Sequence, residues 1–417
     1  MINVLYLSYD GMTDPLGQSQ VIPYLQGLTK QGYFFTVVSF EKPERLREHQ
    51  GQLSQLLLSS GIAWVPLIYH KKPPVLSTLY DIHRLRKKAY QLHQKYNFRI
   101  IHCRSYLAAL VGMAIKRDFG VKFVFDMRGF WADERVEGGL WNLDNPVYQT
   151  IYSYFKKREK ELLNEADHTV TLTHKAQDII HQWKGIKNQP IPVQVIPCCV
   201  DTELFDPKKV EESDQASLRQ KLRIPSNAVV LSYLGSLGTW YMVEEMLAYF
   251  KVVQQSFSNA FFLFITKDSS EEIYRYCKKY SIDPLCIITA SATRKEVPLY
   301  LSISTWSVFF IKPVFSKQAS SATKLGEIIS MGIPFVTNRG IGDSDTLVEK
   351  NEVGLLTSLG EYSDLATATE NLHKLPAERI RATAIKYFSL QRGIVAYGEV
   401  YRQLMQNGEK HQMSSLM

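Results

Sequence analysis

The chain has 417 residues, more than one hydrophobic core usually fills, so two domains of about 200 residues each are expected. Apolar residues make up 45% and charged residues 22% of the sequence, which excludes a disordered or fibrous protein. The five cysteines form no CxxC pair and have no histidines at ligand spacing. This argues against a zinc site or a disulfide framework and favours a reducing, cytoplasmic compartment.

The formal net charge of +8 arises in the first half of the chain. Residues 1–200 contain 25 Lys and Arg against 17 Asp and Glu, whereas residues 201–417 contain 24 of each kind. The excess predicts an anionic partner such as a phospholipid surface or a lipid-phosphate acceptor, unless it serves solubility alone. No helix-turn-helix, zinc spacing or aromatic platform motif favours nucleic acid, so no nucleic-acid partner is expected.

The first half alternates short β-branched or aromatic runs with longer amphipathic segments, as parallel strands joined by crossover helices do. Its start, MINVLYLSYDG, resembles a first strand rather than a signal peptide. We predict strands at 3–8, 33–39, 62–68, 99–103, 122–126, 169–172 and 193–197. Helices are expected to begin near Gln18, Pro43, Leu76, Ser105, Pro146 and His174. Residues 1–200 should therefore form one doubly wound, Rossmann-like domain.

Residues 201–226 are polar and are expected to link this domain to a second one at 227–390. There we predict strands at 228–235, 261–266, 286–290, 306–312, 334–338 and 353–356. Helices should begin near Val243, Ser270, Lys295, Thr323 and Ser363, and a last helix at 391–417 should pack back on the first domain. The fold class is thus α/β, with two Rossmann-like domains whose carboxyl edges face one ligand-binding cleft. The longest apolar runs are shorter than the roughly 20 residues of a membrane-spanning helix.

The loop after the first strand, SYDGMTDPLGQSQ, contains Gly11 and Gly17 and leads into a helix. Backbone N–H groups at a helix start can bind phosphate. There is no GxGxxG motif, and no acidic residue is predicted to end the second strand, which argues against a dehydrogenase. The alternative is that these glycines serve only a tight turn.

Two segments of the second domain predict a nucleotide site. In LSYLGSLGTWY, Gly235 and Gly238 would let the backbone approach a diphosphate closely. In SATKLGEIISMGIPFVTN, Lys324 and Glu327 lie one helical turn apart on one face. The lysine suits a phosphate and the glutamate suits ribose hydroxyls. The alternative is a surface ion pair without a ligand.

Glu327 with SMGIPFVTN and the later GLL resembles the donor-binding segment of glycosyltransferase family 4, whose members have the GT-B fold. VIPCCVDTELFDP and YLGSLG extend the resemblance over nearly the whole chain. The resemblance implies transfer from a nucleotide-sugar donor with retention of configuration. It also implies that the C-terminal domain binds the nucleotide and the N-terminal domain the acceptor. No metal ion or other cofactor is expected.

The sequence departs from the family pattern at two places. Ala319 stands eight positions before Glu327, where family members often have a second Glu. The loop after Gly235 lacks the usual Arg and Lys, so we expect Lys324 first and Lys312 second to neutralise the diphosphate. The predicted donor-binding residues are Gly17, Gly235, Ser236, Lys312, Lys324, Leu325, Glu327 and Arg339.

In FDMRGFWADER, Arg128 stands where many relatives present a His. A guanidinium stays protonated, so Arg128 would clamp a phosphate or a leaving-group charge, oriented by Asp126, Asp133 or Glu134. IIHCRSY places two more polar residues at a strand end. The predicted catalytic residues are Arg128, Lys324 and Glu327, and the predicted acceptor-binding residues are His102, Arg104, Asp126 and Arg128. The alternative for each is a structural role.

Residues 71–99 form a basic amphipathic helix that could rest on an anionic inner-leaflet surface, unless its charges are merely solvated. The sequence thus predicts a cytoplasmic or peripheral membrane glycosyltransferase. Its acceptor would be a glycan or a lipid-linked molecule of bacterial-type surface polysaccharide or glycoconjugate synthesis. The alternatives are a nucleotide-sugar epimerase of the same fold and a non-catalytic relative that binds nucleotide sugars.

Overall fold

The computed structural model describes residues 2–360, 362 and 365–414. The chain forms two compact units. The first combines the residues up to Pro197 with those from Leu390 onward, and the second is Cys198–Ser389. Residues 201–226, which we expected to act as a linker, belong to the second unit and include a helix.

The first unit contains a seven-stranded parallel sheet with the order β3-β2-β1-β4-β5-β6-β7. This order, with the first strand in the middle, is that of a Rossmann-like domain. The strands are β1 Ile2–Ser8, β2 Tyr33–Glu41, β3 Ile62–Ile68, β4 Ile100–Arg104, β5 Lys122–Asp126, β6 His168–Thr171 and β7 Val193–Val195.

Nine helices of the described residues belong to the first unit. They are α1 Pro15–Gln20, α2 Ile22–Thr29, α3 Pro43–Ser59, α4 Leu76–Tyr96, α5 Ser105–Phe119, α6 Trp131–Glu137, α7 Pro146–Glu165, α8 His174–Gln182 and, at the end of the chain, α17 Leu390–Ser414. Where we predicted one helix near Gln18, the structure has two, because Val21 leaves the helical conformation (φ −129°) and Pro23 lacks an N–H. Helix α6 was not predicted.

The second unit contains a six-stranded parallel sheet with the order β10-β9-β8-β11-β12-β13, which repeats the topology of the first sheet. Its strands are β8 Val229–Leu234, β9 Ala260–Ile265, β10 Ile287–Ala290, β11 Trp306–Phe309, β12 Phe335–Asn338 and β13 Gly354–Thr357. Strands β8 and β12 of this sheet are buried on both faces, as expected where crossover helices cover both sides.

The helices of the second unit are α9 Glu212–Lys221, α10 Val243–Ser256, α11 Glu271–Lys279, α12 Val297–Ser302, α13 Thr323–Ser330, α14 Ser344–Asn351, α15 Leu365–Thr369 and α16 Ala377–Phe388. Helices α9, α14 and α16 were not predicted. Ser363, near which we expected a helix to begin, lies outside the described residues, as do residues 415–417 of the predicted last helix.

Each of the thirteen predicted strands is present, and the predicted α/β class with two Rossmann-like domains is confirmed. Helix α17 packs against α2 in the first unit, where Ile394 lies over Gly27. In the part of the chain that the structure describes, no helix is long and apolar enough to cross a membrane.

Candidate functional site

The carboxyl edge of the second sheet presents a rigid loop between β8 and α10. Gly235 follows β8 with φ 121°, a conformation that favours glycine. The loop is fixed to the segment after β11, because the Met242 N–H donates to the Phe310 carbonyl (2.9 Å) and the Lys312 N–H to the Trp240 carbonyl (3.0 Å). It lies where the strand order reverses between β8 and β11, which is where Rossmann-like sheets bind ligands.

Helix α13 carries the two charged residues that the sequence singled out. Lys324 is 6% exposed and Glu327 is 8% exposed, so they are not a surface ion pair. Burying a charge is costly unless a partner or a ligand compensates for it. Their neighbours therefore matter for what this helix does.

The Lys324 ammonium lies among aromatic rings beneath Gly235. Its Nζ donates to the Tyr233 hydroxyl (2.9 Å) and lies 3.5 Å from the centroid of the Tyr241 ring. A Cβ at Gly235 would lie 2.9 Å from this Nζ. Burial lowers the pKa of Lys324 well below its usual range, although Glu327 opposes the shift. The Lys324 amine thus lies directly below the backbone of the glycine loop, where an arriving anion would favour its protonated form.

Glu327 pairs with Arg294, a residue that we did not predict. Arg294 Nη1 lies 2.8 Å from Glu327 Oε1. Burial raises the pKa of Glu327, and the charges of Arg294 and Lys324 oppose this shift. The Arg294 loop is held by a capping interaction in which the Glu296 carboxylate accepts from the backbone N–H of Thr293 (2.8 Å). The spacing Thr-x-x-Glu in the sequence TRKE is typical of such a capping interaction, and it was the sequence signal that could have marked the Arg294 loop.

Other predicted donor-binding residues are less clearly placed for that role. Lys312 is exposed, and Arg339 forms an ion pair with Glu349 (2.9 Å) in which both side chains are more than half exposed. Ser236 is exposed, and its carbonyl accepts from the Tyr233 hydroxyl. Leu325 is 4% exposed and packs in the core of the second unit.

A second lysine of this unit was passed over in the predicted site. Lys317 is 5% exposed, and its Nζ lies 3.6 Å from the centroid of the Trp240 ring. Trp240 belongs to the loop in which the family's usual cations are missing. Ala319, where the family often has Glu, is completely buried in the turn that carries Lys317.

At the first sheet, one prediction was wrong. We expected no acidic residue at the end of the second strand, but β2 extends to Glu41. Its buried carboxylate accepts from the Met12 N–H (2.8 Å), the Thr13 N–H (3.0 Å) and the Thr13 hydroxyl (2.6 Å). Glu41 therefore fixes the loop after β1 instead of being available to a ribose. Gly17 permits the close packing, since a Cβ there would lie 2.3 Å from the Gly11 carbonyl oxygen.

Predicted acceptor residues His102 and Asp126 lie in a buried polar cluster with two tyrosines of α17. His102 Nδ1 lies 2.6 Å from the Tyr401 hydroxyl and its Nε2 lies 3.5 Å from Asp126 Oδ2, while the Tyr397 hydroxyl donates to Asp126 (3.0 Å). Burial alone would raise the pKa of Asp126, but Arg128, His102 and Arg104 lower it overall. Asp126 therefore remains a carboxylate. Tyr397 and Tyr401 were not predicted, although their i, i+4 spacing puts them on one helix face.

The two predicted arginines lie at neighbouring strand ends. Arg104 is 4% exposed, and its Nε lies 3.3 Å from Asp10 Oδ2. Arg128 Nη1 lies 3.9 Å from Asp126 Oδ1. Asp133, which we considered as a partner of Arg128, accepts from Lys156 (2.8 Å) and Tyr152 (2.7 Å).

Comparison with solved structures identifies the class of fold. The chain has the GT-B fold of glycosyltransferases. It is similar to sucrose-phosphate synthase from Thermosynechococcus elongatus, with a TM-score of 0.73 and 15% identity over 98% of this chain and 100% of that one. It is also similar to a glycosyltransferase from Rickettsia africae, with a TM-score of 0.71 and 16% identity over 97% of this chain and 99% of that one. A third similar structure is HepE from Anabaena in complex with UDP and glucose, with a TM-score of 0.70 and 15% identity over 96% of this chain and 100% of that one.

A family model matches the sequence of most of the first unit. Residues 19–204 match the model of Glycosyltransferase Family 4, which confirms the predicted resemblance. The comparison with curated protein sequences gave no significant match. Together the fold and the family match support glycosyltransferase activity.

Among the described residues, no group of three or more His, Cys, Asp and Glu side chains is arranged to hold a metal ion. Whether the reaction needs a metal stays a prediction, because substrate phosphates can themselves supply metal ligands.

Proposed function

We propose that this protein is a glycosyltransferase whose second unit binds a nucleotide-sugar donor and whose first unit binds the acceptor. The observation that carries this proposal is the burial of Lys324 and Glu327 on one helix at the carboxyl edge of the second sheet. A core helix that retains two charged groups at such an edge has a reason other than stability, because apolar residues of similar size would cost less.

In this proposal Lys324 contacts the donor diphosphate and Glu327 accepts hydrogen bonds from ribose hydroxyls. Gly235 lets the phosphates approach, since its missing side chain leaves Lys324 next to the loop backbone. Arg294 pairs with the Glu327 carboxyl group and opposes the rise in its pKa that burial causes, and it must share or release this group when a ribose arrives. The complexes of HepE with UDP and with UDP-glucose support a uridine nucleotide as the first donor to test.

The chemistry that these residues supply is electrostatic. Negative charge grows on the diphosphate as the bond to the sugar breaks, and a protonated Lys324 stabilises that charge. Arg128 contributes a second fixed cation on the acceptor side, where it cannot serve as a base. We propose that transfer retains the anomeric configuration, uses a hexosyl donor and requires no metal ion.

Membrane association is a further part of the proposal. The start of α4 exposes Leu76 (64%), Leu79 (57%) and Tyr80 (54%), and the exposed Lys71 and Lys72 lie just before it. Apolar side chains beside cations suit the interface of an anionic bilayer. We propose that this surface brings the first unit to a lipid-linked acceptor of surface polysaccharide or glycoconjugate synthesis.

The test is a thermal-shift panel of UDP, GDP, ADP and their sugar conjugates, because a true ligand stabilises the folded state by mass action. Turnover of the stabilising donor is then measured with and without candidate acceptors, in EDTA and in Mn²⁺. The proposal expects transfer that depends on the acceptor and survives EDTA. Conversion of the donor without any acceptor would favour an epimerase, and binding without turnover on any acceptor would favour a non-catalytic relative.

A further inference from the structure

The first sheet contains a buried cation with an unused hydrogen-bond donor. Arg104 ends β4 and is 4% exposed, yet its Nη1 has no hydrogen-bond partner. Its Nε lies 3.3 Å from Asp10 Oδ2, but the Asp10 side chain is 51% exposed. Leaving a buried guanidinium N–H unsatisfied is costly, because the group loses its hydrogen bond to water and gains none in the protein. This donor points to an anionic acceptor that arrives from outside.

A second guanidinium lies close to the first. Arg104 pairs in register with Asp126 on the neighbouring strand, and Arg128 follows Asp126 by two residues. Burial raises the pKa of Tyr6, the charges of Arg104 and Arg128 oppose that rise, and the charge of Asp126 adds to it. Asp126 lies 3.9 Å from Arg128 Nη1, beyond hydrogen-bond distance, and accepts from Tyr397. Two guanidinium groups thus lie at neighbouring strand ends, and the ion pair of Arg104 is with Asp10, whose side chain is half exposed.

The backbone at the same two strand ends is strained and carries further positive potential. Ser105 (φ 65°) and Arg128 (φ 58°) are both in the left-handed region, which residues other than glycine rarely adopt. Arg104 is also the N-cap of α5, a helix of 15 residues, and no side chain caps its first N–H groups. The positive end of the helix dipole therefore lies at the backbone of Arg104.

We propose that Arg104, Arg128 and the start of α5 bind a phosphate group carried by the acceptor. The inference rests on the proposed function only in assigning the first unit to the acceptor. A phosphate oxygen satisfies Arg104 Nη1, and the dianion balances two guanidinium groups that otherwise repel each other. A neutral glycan would leave this subsite unfilled. A soluble sugar phosphate and a lipid-linked phosphate offer the same chemistry, so experiment must separate them.

The test is titration calorimetry of the full chain with inorganic phosphate, glucose 6-phosphate and farnesyl phosphate, each compared with UDP. We expect at least one phosphate monoester to bind wild type, and Arg104→Gln to weaken it by about tenfold or more. Arg104→Lys should keep part of the affinity, and Arg128→Gln should also weaken it. The matched control is Arg99→Gln, an exposed arginine just before β4, which should bind as wild type does.

Tighter binding of farnesyl phosphate would assign the subsite to a lipid-linked acceptor, and tighter binding of glucose 6-phosphate to a soluble one. Equal affinity of wild type and Arg104→Gln for every phosphate probe would overturn the proposal. So would an equal loss of UDP affinity, because the arginines would then serve the donor. If Arg104→Gln does not fold, Arg104→Lys and Arg128→Gln decide. Absence of UDP binding to wild type, with phosphate binding intact, would count against the proposed donor site alone.

Discussion

Replacing Lys324 by Met separates the stability of the second unit from its binding of a donor. The amino group is buried between Tyr233 and Tyr241, and burial lowers its pKa well below the usual value. Methionine has a similar length and carries no charge. Since replacing a buried charge by an apolar side chain is often neutral or stabilising, we expect the free energy of unfolding to stay constant or rise by about 1 kcal/mol.

Donor binding should respond in the opposite direction. A charge-assisted hydrogen bond contributes about 1.5–3 kcal/mol, so Lys324→Met should weaken the binding of UDP by about 10- to 150-fold. For the same reason kcat should fall by about tenfold or more, because the charge on the leaving diphosphate grows in the transition state. Calorimetry with UDP and donor kinetics measure the two effects, and Lys278→Met, at an exposed lysine of α11, is the control.

The pH dependence of stability gives an independent check. Because the pKa of Lys324 is lowered on folding, the unfolded chain binds a proton that the folded chain has lost. The free energy of unfolding of wild type should therefore rise with pH, relative to Lys324→Met, up to the ordinary lysine pKa of 10.5. Urea unfolding of both proteins at several pH values measures this difference. The reasoning would be refuted if the variant bound UDP as tightly as wild type does. It would also be refuted if the variant lost about 2 kcal/mol or more of stability, which is typical of a defect in the core.

Three further outcomes are expected. Glu327→Gln should raise the KM for donor with a smaller change in kcat, since the ribose contact exists in both the ground state and the transition state. If this variant has the donor kinetics of wild type, the assignment of the ribose site to α13 is wrong. Gly235→Ala should lower stability and donor affinity together, because its Cβ would lie 2.9 Å from Lys324 Nζ at φ 121°, whereas Gly238→Ala has no neighbour within 4 Å and serves as control. Leu79→Glu should abolish co-sedimentation with anionic vesicles, while Leu58→Glu, at another exposed leucine, should not; equal binding of wild type to neutral vesicles would contradict the membrane proposal.

Strands were predictable because each buried parallel strand is a continuous β-branched or aromatic run. FFLFI and WSVFF need no knowledge of their neighbours to be recognised. Helices were less predictable. Helix α9 is polar over most of its length and buries Leu218, so its sequence, ESDQASLRQK, has the composition of a linker.

The site residues also divide into a group that the sequence could predict and a group that it could not. Lys324 and Glu327 are three positions apart on one helix, so their spacing alone brings them together. Arg294 reaches Glu327 across 33 residues, and Tyr401 reaches His102 across 299. Such pairs depend on which strand ends are neighbours in the sheet, and local sequence carries no information on that. Glu41 was missed for a smaller reason, because the strand continues two residues beyond its predicted end at Ser39.

Helix α17 affects the order in which the protein can be built during translation. It supplies Tyr397 and Tyr401 to the first unit, although the whole of the second unit is synthesised before it. At ribosomal rates of about 5–20 residues per second, the interval between Pro197 and Leu390 lasts roughly 10–40 s. Throughout that time the nascent first unit holds His102 and Asp126 without their phenol partners. The second unit is contiguous in sequence, so its whole chain is available before α17 is made. The unit whose synthesis begins first is therefore the last to be completed.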